Sequence, residues 1–186
     1  AASPTFAPTA RPTIAPTARP TVTPTAKPTA APTPTPKPTP KPTVAPTTAP
    51  PTSGLTAAQW RAEIFRLTNV ERAKAGLPAL KTGTTALAKA AAVRASEIVR
   101  EYSHVRPNGS YFSTVLAENG IAWSATAENL FCGTADRYTP AEVMLKWMNS
   151  SGHRANILNK NQTMLSVGYV RSGGMEYFVQ LFIKPK

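Results

Sequence analysis

The chain has 186 residues, with 21 Lys and Arg against 9 Asp and Glu, two histidines and one cysteine. A lone cysteine excludes disulfide-rich secreted scaffolds, and no apolar run reaches the ~20 residues of a membrane span. The net charge of +12 favours anionic partners such as cell-wall polymers or acidic lipid surfaces, or a basic surface with no dedicated partner; no basic run interleaved with aromatics points to nucleic acid.

Sixteen of the twenty prolines precede Gly54. From Pro4 to Pro32 they recur at every fourth position, each followed by threonine, and the spacing then tightens to two as far as Pro42. Proline fixes φ and removes a backbone donor, so neither helix nor sheet propagates here. Phe6, Ile14, Val22 and Val44 are too few to build a core. Residues 1–54 are therefore expected to be a disordered Pro/Thr-rich linker or stalk, extended in the polyproline manner and suited to O-glycosylation. The start at Ala1-Ala2-Ser3 suits a mature chain left after signal-peptide removal, which implies an extracellular or cell-surface location. Five of the positive charges fall in this tail, which leaves about +7 on residues 55–186. Those ~130 residues are of ordinary single-domain size and need no disulfide or metal to fold.

The domain opens with Thr56-Ala57-Ala58-Gln59, a capping-box pattern. Trp60, Ile64, Leu67 and Val70 follow at helical spacing until Gly76 and Pro78. A second helix is predicted over 85–102, with Leu87, Ala91, Ala95 and Ile98 as its buried stripe. Lys89 and Arg94 interrupt that run. A short third helix is predicted over 114–119, stopped by Gly120. Thr139-Pro140-Ala141-Glu142 is another start signal, with Val143, Met144, Trp147 and Met148 behind it, and a further helical turn carries His153 to Leu158. The period then becomes two. Leu165, Val167 and Tyr169 alternate, as do Tyr177, Val179, Leu181 and Ile183, around Ser172-Gly173-Gly174, which predicts a β-hairpin. Helices first and paired strands last give an α+β domain.

Several segments carry a resemblance. Leu67 to Leu77 (LTNVERAKAGL) resembles the first helix of bacterial SCP-like domains. Ser103 to Gly109 (SHVRPNG) looks like their "SHxRPDG" loop, with Asn108 in place of aspartate. Trp147 to Asn159 (WMNSSGHRANILN) is similar to "WMNSPGHRANIL", with Ser151 in place of proline. Ala127-Glu128-Asn129-Leu130 resembles the "GEN" element, and Phe178 to Phe182 the terminal strand. These motifs fall in the family's order and include none of the tail. The family is the CAP superfamily of cysteine-rich secretory, antigen 5 and pathogenesis-related proteins. The resemblance implies a three-layer α-β-α sandwich with a central cleft. Gly83 stands where the family often has an acidic residue, and Ser166 where it often has glycine.

In many eukaryotic members two histidines and two glutamates line the cleft and divalent metals bind there. The resemblance maps the histidines to His104 and His153 and one glutamate to Glu128, while Ser150 occupies the second glutamate's place. Asn129 and Arg154 join the cleft candidates. Two imidazoles and a carboxylate are the donor types of some catalytic zinc sites, so His104, Glu128 and His153 are the candidate ligands for zinc or a similar divalent metal. No H-E-x-x-H motif supports them. The alternative is that both histidines pin loops through hydrogen bonds, His153 above all.

Ser103 beside His104 and Ser151 near His153 do not by themselves make nucleophile–base pairs, and no G-x-S-x-G elbow occurs. Cys132 reads as a buried inert thiol. Arg106 and Arg154 are the residue type that grips phosphate or carboxylate in bidentate fashion, with Arg154 the expected partner of an internal carboxylate. Asn149 and Asn156 read as ligand-orienting or cap residues. Trp60, Trp123 and Trp147 are core or cleft-wall residues, Trp123 in a loop before Glu128. The lipid and sterol binding of eukaryotic members reaches this chain by fold analogy alone. Three readings follow: an extracellular binding or interaction module, first in order; a structural cell-envelope or spore-layer component; and a metal-dependent hydrolase using His104, Glu128 and His153. No catalytic residue is established.

Overall fold

The computed structural model describes residues 54–186. The expectations for the Pro/Thr-rich tail lie outside the described residues. Helix starts fall where the sequence supplies caps. Thr56 and Gln59 close a capping box ahead of α1 (Ala57–Lys74), and Thr139 and Glu142 close another ahead of α4 (Pro140–Asn149). Thr84 caps α2 (Thr85–Arg100) by accepting from the Leu87 N–H. Each such cap stabilises its helix by about 1 kcal/mol. The short helices α3 (Thr114–Glu118) and α5 (Ser151–Ile157) complete the set.

Four strands form one sheet in the order β1-β3-β4-β2. The predicted hairpin is β3 (Met164–Ser172) with β4 (Met175–Pro185), closed through Gly173 and Gly174, whose φ values of 57° and 74° suit a two-residue primed turn. Two strands escaped the sequence reading. β1 (Lys81–Thr82) pairs parallel with β3. β2 (Trp123–Thr134) runs antiparallel to β4 along its whole length, so Trp123 begins a strand and does not sit in a loop. The stretch WSATAENLFCGT has no clean alternation and holds Ala, Glu, Asn and Gly. Pairing with β4 overrides this weak local preference.

Helices cover both sheet faces, so the arrangement is the expected α-β-α sandwich. On one side α2 and α3 pack Leu87, Ala91, Ala95, Ile98, Val115 and Leu116 against Leu130, Val179, Leu181 and Ile183. On the other, α1, α4 and α5 pack Trp60, Ile64, Val143, Trp147 and Ile157 against Leu165, Val167, Phe178 and Phe182. This is why Phe178 to Ile183 is buried without a break. The alanine stripe of α2 lets β3 approach closely: a Cβ on Gly168 would lie 2.1 Å from the Ala91 carbonyl oxygen. Gly83 and Ser166, the two departures from the family pattern, face each other, and a Cβ on Gly83 would meet the Ser166 hydroxyl at 2.1 Å.

The buried face of α1 differs from the predicted stripe. Trp60, Ile64, Thr68 and Arg72 are buried, whereas Leu67 and Val70 are half-buried. Arg72 is tolerated inside because its guanidinium donates to the carbonyls of Pro78, Ile157, Asn159 and Gln162. A buried cation with its N–H groups satisfied in this way joins α1 to the end of α5.

Candidate functional site

Strand β2 lies at the edge of the sheet, and the cleft forms over it where loops from the two helical layers meet. Glu128 and Asn129 are adjacent in β2, so their side chains leave opposite faces. Glu128 turns to the α2 layer and meets the 103–112 loop. There a cavity of about 280 Å³ is lined by His104, Tyr111, Phe112, Ser113, Thr126, Ala127, Glu128 and Asn156. A larger cavity of about 340 Å³ lies elsewhere, beside Arg61, Phe65, Gly83 and Ser166. Its walls are mostly apolar, with Arg61, Thr82 and Ser166 as the polar side chains, whereas the smaller cavity holds the His104–Glu128 pair and is the better site.

The Glu128 side chain is fully buried. Arg94 of α2, also fully buried, donates from Nε to Oε2 at 2.8 Å and from Nη2 to Oε1 at 3.1 Å. His104 Nδ1 lies 2.9 Å from the same Oε1. A carboxylate oxygen accepts, so Nδ1 is the donor in this contact and Nε2 has no hydrogen-bond partner among the described residues. The charges continue away from the cleft. Arg94 Nη1 donates to Glu97 at 2.6 Å, Glu97 accepts from Arg106 at 2.8 Å, and Arg106 reaches Glu118 at 2.6 Å. Burial alone would raise the Glu97 carboxyl, but Arg106 and Arg94 outweigh it and hold the group below the usual range. Burial likewise works against Arg94, and Glu128 and Glu97 together raise it. The ladder runs from half-exposed Glu118 to the cleft.

The sequence reading missed Arg94 and Glu97. Both sit at i+3 steps on the stripe that begins at Leu87 and Ala91, which places them on the buried face of α2. A charge on an otherwise apolar helical stripe was the available signal. Arg106 does grip carboxylates in bidentate fashion, but they are internal ones. Arg154 is exposed and donates to the Met148 carbonyl at 2.8 Å, so the internal carboxylates go to Arg94 and Arg106 and not to Arg154.

Asn129 is buried on the opposite face of β2. Its Nδ2 donates to Gln180 at 2.9 Å and to the His153 carbonyl at 3.1 Å. Asn156 Nδ2 donates to Asn129 Oδ1 at 2.8 Å and to the Glu128 carbonyl at 3.3 Å. Gln180 in turn donates to Thr68 at 2.7 Å, and Thr68 to the Ile64 carbonyl at 2.7 Å. This neutral chain crosses from α1 through β4 and β2 to α5. Asn129 therefore positions α5 against the cleft and does not face into it.

His153, on α5, is half-buried, and its Nδ1 is buried with no hydrogen-bond partner. Its side chain does not pin the loop through that nitrogen; its carbonyl does so through Asn129. Burial, with a smaller contribution from the nearby His104, holds the ring below its usual pKa. Ser150 precedes α5 without capping it through its side chain. Cys132 is half-buried, and burial raises its thiol.

The expected metal-ligand set fits poorly. Both Glu128 oxygens are held by Arg94 and one also by His104, so a metal on Glu128 has to displace charged partners. Among the described residues no group of three His, Cys, Asp or Glu side chains is arranged to hold a metal ion. Two imidazoles remain as donors, one short of the three protein ligands usual in catalytic zinc sites.

The geometry defines a class: a three-layer α-β-α domain with a histidine–glutamate pair in a cleft over the sheet edge. The model of the cysteine-rich secretory protein (CAP) family matches residues 65–182, and the chain belongs to that family. Among curated proteins it is 37% identical over 131 residues to the uncharacterized protein YkwD of Bacillus subtilis, across 69% of this chain and 48% of that protein. It is 34% identical to the uncharacterized membrane protein YlbC of the same organism, across 66% and 34%. The chain thus spans half or less of the length of these relatives. Among solved structures, an extracellular protein of Bacillus anthracis containing an SCP domain is 26% identical, with a TM-score of 0.60 over 71% of this chain and 45% of that one. An outer surface protein of Borrelia burgdorferi shares the fold at 19% identity, with a TM-score of 0.63 over 71% and 97%. No helix among the described residues is long and apolar enough to cross a membrane.

Proposed function

We propose that the chain is an extracellular binding module that engages the cell envelope through a basic surface and the His104–Glu128 cleft. The observation that carries this reading is the closure of Glu128 by Arg94 and His104. A carboxylate held by three charged or polar donors is a fixed scaffold element, poorly placed to serve as a ligand or a base. Among the described residues no hydroxyl or thiol is hydrogen-bonded to either imidazole, so the ordinary signature of an activated nucleophile is missing from the geometry. The charge of about +7 on residues 55–186 supports anionic wall polymers or acidic lipid as partners. The similarity to an extracellular protein of Bacillus anthracis and an outer surface protein of Borrelia burgdorferi supports the location.

The test is co-sedimentation of the full chain with purified cell walls and, separately, with anionic lipid vesicles at low and high salt. Retention at low salt, weakened by added salt, is expected. Passage of all the protein into the supernatant at low salt in both arms overturns the proposal.

A further inference from the structure

We infer that the 280 Å³ cavity beside His104 is a carbohydrate subsite. It takes one neutral pyranose ring, stacked on Tyr111 and hydrogen-bonded by the polar groups around it. The inference rests on the binding-module reading and names the ligand class for its cleft.

Tyr111 is 56% exposed although it is a large aromatic side chain, and it lines the cavity. Its ring centroid lies 4.7 Å from that of buried Phe112. The segment that carries it is firmly held. The Arg106 N–H donates to the Ser110 carbonyl at 2.7 Å, the Phe112 N–H donates to the His104 carbonyl at 2.9 Å, and Val105 bridges Tyr111. Beneath the loop, Arg106 is clamped by Glu97 and Glu118. A rigid, exposed aromatic loses little conformational entropy when a flat ligand face covers it.

The polar groups around the ring point to a ligand with many hydroxyls. His104 Nε2 is uncommitted. Ser113 precedes α3 without a side-chain cap bond, so its hydroxyl is available. Asn156 donates through Nδ2 and retains Oδ1 as an acceptor. Donors and acceptors are therefore both on offer. The lining holds no Lys or Arg, so an anion finds no cation there, and a cation finds its one carboxylate already taken by Arg94. Five of the eight lining residues, His104, Ser113, Thr126, Glu128 and Asn156, carry polar side chains besides the Tyr111 hydroxyl, which disfavours an acyl chain or a sterol. A neutral sugar ring satisfies all of these conditions, and the volume is below that of sites for drug-sized ligands.

The experiment uses the full chain and N-acetylchitotetraose as a neutral probe, followed by amide shift changes in two-dimensional NMR at low and high salt. Saturable shifts at Tyr111, Ser113 and Asn156 that are insensitive to salt are expected. Tyr111→Ala should weaken binding about tenfold, the scale of a lost ring contact, while Tyr111→Phe keeps most of the affinity. Preserved amide spectra establish that the variants fold. Absence of shifts at these residues, or equal affinity in Tyr111→Ala, overturns the subsite. If cell walls still retain the chain in that case, the binding module stands and only the sugar assignment falls; loss of both removes both.

Discussion

The two faces of β2 meet the same problem, a buried polar residue, by different means. Glu128 is neutralised by an ion-pair ladder through Arg94, Glu97 and Arg106 that ends at the surface. One residue on, Asn129 is satisfied by an uncharged chain through Gln180, Thr68 and Asn156. The charged side faces the cleft and depends on a full set of partners. The neutral side holds α5 in place and is indifferent to pH. The difference shows why the cleft is rigid: its one buried carboxylate is fixed from behind by α2, and the helix on its other rim is fixed by amides.

The largest effect is expected at the charged face. Arg94→Met leaves Glu128 without its main partner and removes one from Glu97, and breaking buried pairs of this kind costs about 3–5 kcal/mol. Denaturant unfolding of the full chain measures it. On the neutral face, Asn129→Ala orphans groups on Gln180 and Asn156 and should cost about 1–3 kcal/mol. The comparison would fail if the order were reversed.

The smallest expected effect is a pH dependence carried by the titratable side chains and not by the amide chain. His153 is held below its ordinary pKa of 6.5, so the unfolded chain takes up a proton there more readily than the folded one. Stability should therefore rise as pH increases towards 6.5 and level off above it. His153→Gln should flatten that rise in a melting-temperature profile. The Glu97 contribution has the same sign at lower pH: it is complete above the usual carboxylate range and lost as pH falls through the depressed value. Asn129→Ala should shift the whole profile without changing its slope.

Much of this arrangement was legible in the sequence. Capping boxes placed α1 and α4, alternation placed the hairpin, and the family resemblance pointed to His104 and Glu128, which line one cavity, and to His153, which is not in its lining. β2 was not legible, because Ala125 to Asn129 has no clean period and Thr126 alone favours a strand, and only its partner β4 makes it one. Arg94 was visible as an interruption of an apolar run, but its role was not. That role depends on Glu128, which lies 34 positions away and reaches Arg94 only when β2 joins the sheet. The neutral chain was equally hidden, since Thr68 and Gln180 are 112 residues apart.

The measurement closest to the central claim is calorimetric titration of zinc into the full chain, beside a His104→Ala, His153→Ala double variant. If Glu128 is a fixed scaffold element, the wild-type chain should show no saturable one-to-one binding that the double variant lacks. Saturable binding by the wild type, lost in the variant, would make the cleft a metal centre and contradict the account.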